Sequence, residues 1–123
     1  EGACELGADG DVAVSVSQED GLLSIDWGEV GALGVYVTTY GATLPLGPGA
    51  VVADGDAFWA LGTAAFPTGF YGPLVYGEVP EGAEDISEVN GAPEGGAELE
   101  EGACYQVSVI SDAFQIGSWT FEY

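Results

Sequence analysis

The sequence predicts an all-β fold, a Greek-key β-sandwich of seven to eight short strands in one domain spanning residues 1–123. Three observations predict it. Apolar and polar residues alternate with a period of two in segment after segment. Twenty-one glycines and six prolines punctuate those segments. Helix formers are scarce: Lys, Arg and Met are absent, and Gln occurs only at positions 18, 106 and 115. With 47% hydrophobic residues, the chain has the material for a core.

Taken in order, Val12, Val14 and Val16 form one face of a strand, with Ala13, Ser15 and Ser17 on the other. Leu23, Ile25 and Trp27 alternate with Ser24 and Asp26, and residues 33–40 are largely β-branched or aromatic. Shorter candidate strands are Ala50–Ala53, Ala57–Leu61 and Leu74–Glu78. The clearest hairpin is Tyr105–Ser111, a turn over Asp112–Gly117, then Ser118–Tyr123 with Trp119, Phe121 and Tyr123 on one face. Trp27, Trp59 and Trp119 each fall on an apolar face and are expected as core anchors. Gly/Pro stretches at 44–49 and 66–73 read as turns. The longest irregular stretch, Val79–Glu101, holds eight acids, with a short helical turn expected around Glu84–Val89. No composition shift marks a domain boundary, and no apolar run approaches the roughly 20 residues of a membrane-spanning helix.

Charge narrows function further. There are 21 Asp and Glu but no Lys, Arg or His, for a net charge of −21. An ordinary chain of this size carries roughly 15 basic residues, so the anomaly is the missing cations. Nothing here neutralises a phosphate, which excludes nucleic acid and anionic membrane surfaces as partners. No His or Lys can act as a general base, and no Arg can clamp an anionic substrate. Carboxylate pairs alone hydrolyse glycosides, yet no pair here is singled out, so the chain reads as no enzyme.

Cys4 and Cys104 share one local context, Glu-Gly-Ala-Cys. The expectation is a disulfide, within one chain or between neighbours, in an oxidising compartment; the alternative is two buried thiols. The first residue is Glu, not Met, which fits a processed, exported chain. No cofactor is expected. Asp9, Asp11, Asp54 and Asp56 stand on Asp-Gly-Asp turns and are the candidate ligands for a divalent cation such as calcium. Turn chemistry alone also explains them, because neither copy continues into a twelve-residue calcium loop. Phe66, Phe70, Tyr71 and Tyr76 are candidate interface or sugar-stacking aromatics, with core packing the alternative.

The segments Val75–Gly82 (VYGEVPEG), Leu99–Val109 (LEEGACYQVSV) and Thr120–Glu122 resemble the end of small secreted bacterial immunoglobulin-like sandwiches, over roughly the last 50 residues. That resemblance implies an immunoglobulin-like, cell-surface domain and names no catalytic residue. Similar sandwiches build pilus-like fibrils. The leading expectation is therefore a structural subunit of an extracellular bacterial filament whose partner is itself. Asp11, Val12, Val14 and Val16, within residues 1–17, are the candidate donor strand, unless they form the first strand of their own domain. The alternatives are a monomeric adhesin or carbohydrate-binding module with a glycan partner, and a halophilic surface domain.

Overall fold

The computed structural model describes residue 4 and residues 6–19, 22–40, 57–64, 68–113 and 115–123. The fold is all-β, with two antiparallel sheets. Its strands are β1 (Gly7–Gly10), β2 (Ser15–Glu19), β3 (Leu22–Asp26), β4 (Ala32–Thr39), β5 (Ala57–Thr63), β6 (Leu74–Val75), β7 (Ala83–Asp85), β8 (Cys104–Ser111) and β9 (Ile116–Glu122). The larger sheet runs β1-β9-β8-β4-β5-β7 and the smaller β2-β3-β6. Among the described residues one 3-10 turn, Glu88–Asn90, overlaps the end of the expected helical segment Glu84–Val89, and Gly91 closes it in the left-handed region at φ 85°. The expected strand Ala50–Ala53 lies outside the described residues.

The two sheets share one core. Leu23 and Ile25 of the smaller sheet pack with Val35, Val37, Trp59, Val107 and Phe121 of the larger. Cross-strand register produces this: Val107 stands opposite both Trp119 and Val37, and Val37 opposite Trp59. Directly opposed residues share a face, so the alternation seen along each strand becomes apolar rows across the sheet. Each Val, Leu or Ile buried there contributes roughly 1.5–3 kcal/mol. Trp27 and Trp59 are buried, whereas Trp119 lies half-buried against the core. At the β3–β4 turn, the Asp26 carboxylate accepts the Trp27 N–H at 2.8 Å, and the Trp27 indole N–H donates to the Val30 carbonyl at 3.0 Å.

The N-terminal segment changes sheets. β1 pairs with β9 in the larger sheet and β2 pairs with β3 in the smaller. Between them Val12 and Val14 drop into the core, with the Val14 N–H donating to the Val12 carbonyl at 3.0 Å. The expected strand over 11–17 is thus displaced: its first half is the crossing and its second half opens β2. Main-chain pairing of Gly7–Gly10 forms a strand where no apolar alternation announced one.

The acidic segment is ordered by one of its own acids. Asp85 accepts N–H groups from Ser87 at 2.8 Å and Gly95 at 2.9 Å, closing the stretch across ten residues. Ser87 is fully buried, its hydroxyl accepting the Ala60 N–H at 3.0 Å. Through these ties Ile86 and Ala92 cover Tyr36, Ala60 and Ile110 on the outer face of the larger sheet. The other seven acids of this stretch are exposed.

Candidate binding surfaces

Cys4 and Cys104 are bonded to each other within the chain, 100 residues apart, with their Cα atoms separated by 6.3 Å. Val12 and Val14 are buried in their own chain's core, Val16 is half-buried beside it, and the exposed Asp11 donates its N–H to the Ile116 carbonyl at 2.8 Å. Asp9 is exposed on β1, while Asp54 and Asp56 lie outside the described residues. Among the described residues no group of three or more Asp, Glu, His or Cys is arranged to hold a metal ion.

The three described candidate aromatics, Phe70, Tyr71 and Tyr76, do not share one exposed face. Phe66 lies outside the described residues. Phe70 is 1% exposed, exchanges main-chain hydrogen bonds with Ala32 at 2.8 and 2.9 Å, and meets Trp27 edge to face at 5.9 Å. Tyr76 is half-buried, its ring 4.9 Å from Trp59 and its hydroxyl donating to the Ala97 carbonyl at 2.6 Å. Tyr71 is 56% exposed and alone among the described three offers a ring to solvent. Phe70 and Tyr71 are neighbours in an extended segment, so their side chains point opposite ways.

The electrostatics of the cap centre on Asp85. Burial alone would raise its pKa, but the N–H groups of Ser87 and Gly95, with the Ser87 hydroxyl, hold it below the ordinary carboxylate value. The buried Trp59 indole N–H acts in the same direction without completing a hydrogen bond. Burial drives the Tyr76 hydroxyl pKa upward, reinforced by Tyr105, Tyr123 and Asp85, so it stays protonated and keeps donating. Burial likewise raises Tyr36.

Two grooves lie beside open strand edges. One of 190 Å³ runs along β6, lined by Ser24, Pro73, Leu74, Val75, Val79 and Pro80 among others. The other, of 380 Å³, lies beside β1 and has a largely polar lining that includes Asp9, Tyr40, Gln106, Ser118 and Thr120. The first is built almost wholly from residues 73–80 with Ser24 beside them, whereas the second joins residues far apart along the chain and was not visible in the sequence. No helix among the described residues is long and apolar enough to cross a membrane. No protein-family profile matches the chain, and neither does any curated protein or solved structure.

Proposed function

We propose that the chain is a non-catalytic subunit of an extracellular bacterial filament, an immunoglobulin-like Greek-key domain that pairs with copies of itself at its strand edges. The order β2-β3-β6 in one sheet and β9-β8-β4-β5 in the other supports the immunoglobulin-like reading, with β1 and β7 as additions at the edges of the larger sheet. The internal disulfide fits an oxidising, extracellular setting.

The β6 edge carries the assembly reading. Leu74 and Val75 bear no charge, and the groove they border is lined mainly by apolar residues, with Glu78 as the one acid in its lining. Natural sheet edges are commonly guarded by lysine, and this chain has none. Main-chain pairing requires no basic side chain, so it suits a body of charge −21 meeting its own copy. Like charges 10 Å apart repel by about 0.4 kcal/mol in water, which favours contact at an uncharged edge. β6 of one copy against β2 of the next is a head-to-tail contact, and such contacts propagate into open filaments.

Edge addition also replaces strand donation as the mode of assembly. With Cys4 tied to Cys104 of its own chain, an exchanged Asp11–Ser17 strand would have to leave and return. Negative-stain microscopy and sedimentation velocity of the purified protein test the reading. Filaments are expected, with Val75→Lys arresting assembly while leaving a folded monomer. A protein that stays monomeric at high concentration would end the filament reading and leave the monomeric adhesin.

A further inference from the structure

We propose that the outer face of the larger sheet, on its β1-β9-β8 side, binds a neutral oligosaccharide. Strand register lays out the floor of this site. Asp9 stands opposite Ser118, and Ser118 opposite Ser108. Gly7 stands opposite Thr120, Thr120 opposite Gln106, and Gln106 opposite Thr38. Opposed residues share a face, so the Asp9 carboxylate, the Gln106 amide and the Ser118 hydroxyl emerge together above the buried Thr38, Ser108 and Thr120, while the intervening Trp119, Val107 and Val37 turn to the core. The groove above this floor measures 380 Å³, within the range of small-ligand sites.

Its chemistry selects the ligand class. Gln106 donates one amide N–H to the Ser108 hydroxyl at 3.3 Å, which leaves a second N–H and the amide oxygen for a ligand. Among the described residues no hydrogen bond engages the side chain of Asp9, Ser118 or Thr120. A carboxylate that only accepts, beside hydroxyls and an amide that do both, complements a ring of sugar hydroxyls. The rim is apolar: Tyr40 is 42% exposed and Leu6 62% exposed, surfaces for the C–H faces of pyranose rings. Gly7 leaves the floor bare beside Thr120, since a Cβ there would meet nothing within 4 Å. Gly7 itself is held at φ 120°, a conformation that favours glycine. Finally, a chain of charge −21 without one cation repels uronic, sialylated and sulfated sugars, which leaves the neutral ones.

A printed array of neutral glucans, mannans, galactans and chitin oligomers, alongside sialylated and sulfated members, tests this on the Val75→Lys protein, which is monomeric whether or not the wild type assembles. The strongest soluble neutral oligosaccharide is then titrated by calorimetry. Binding confined to neutral members is expected, weakened about tenfold by Gln106→Ala and by Asp9→Ala. Tyr71→Ala is expected to leave it unchanged. Asp9 is exposed, so its substitution keeps the fold and keeps the proposal falsifiable if Gln106→Ala unfolds. No binding to any neutral member, binding to acidic sugars alone, or affinity indifferent to Asp9→Ala would overturn the site. Because the experiment uses monomer, its failure is separate from failure of filament assembly.

Discussion

Gly117 and Val12 meet backbone to backbone: a methyl group on Gly117 would lie 1.9 Å from the Val12 carbonyl oxygen. Here the chain crosses from one sheet to the other, and only a hydrogen atom fits between it and β9. Gly117→Ala should therefore destabilise the protein by at least about 1–3 kcal/mol, the usual range for overpacking. Chemical denaturation measures it. Stability equal to wild type would mean that the crossing does not pass so close to β9.

The disulfide encloses a loop of 100 residues. Removing it in a Cys4→Ser/Cys104→Ser variant should cost about 4–5 kcal/mol on the chain-entropy account. The native protein should yield no alkylatable thiol, and should run as a monomer whose electrophoretic mobility shifts on reduction. A ladder that collapses on reduction would instead place the bond between chains.

Two neighbouring rings make a sharp comparison. Phe70→Ala should cost about 3–5 kcal/mol, because it empties a buried site against Trp27. Tyr71→Ala should stay within about 0.5 kcal/mol of wild type, as is usual for exposed positions. Equal effects in thermal unfolding would contradict the opposed orientation of the two side chains.

Asp85 should give the cap a distinctive pH response. Its folded pKa lies below the ordinary 3.8, so its contribution is fully present above that value and is lost as pH falls through the folded pKa. Asp85→Asn should weaken the protein by about 1–3 kcal/mol at neutral pH through the Ser87 and Gly95 hydrogen bonds. The difference from wild type should shrink below pH 4. A gap that is independent of pH from 7 down to 2 would show that the charge on Asp85 is not what closes the segment.

The core was legible where alternation is strict. Leu23, Ile25, Trp27, Val107, Val109 and Phe121 are buried because polar partners alternate with them along exposed-to-core strands. The bare turn chemistry of Gly7–Gly10 gave no such signal, since main-chain pairing to β9 alone makes it a strand. Val12 and Val14 were legible as apolar knobs, but a change of sheet leaves no trace in periodicity. Nor did one acid among eight reveal itself as an anchor, because its partner Gly95 lies ten residues on. The polar groove was hidden for a related reason. Asp9, Gln106 and Ser118 are set side by side by register, and register is a property of strand pairs, not of any one strand.

The bond between Cys4 and Cys104 also defines how the domain would carry tension. Cys104 opens β8 and stands opposite Glu122 of β9. A pull applied at Cys4 therefore passes through the bond into β8, in the interior of the larger sheet, instead of along the chain through β1, the crossing and β2. The intervening 100 residues would otherwise unspool by about 330 Å when fully extended. Held as a closed loop, those residues cannot be drawn out while the bond is intact, and a load on β8 and β9 is shared with their neighbours β4 and β1. Under stretching, the bond would shield residues 5–103 from being unspooled and leave only what lies outside that loop free to extend.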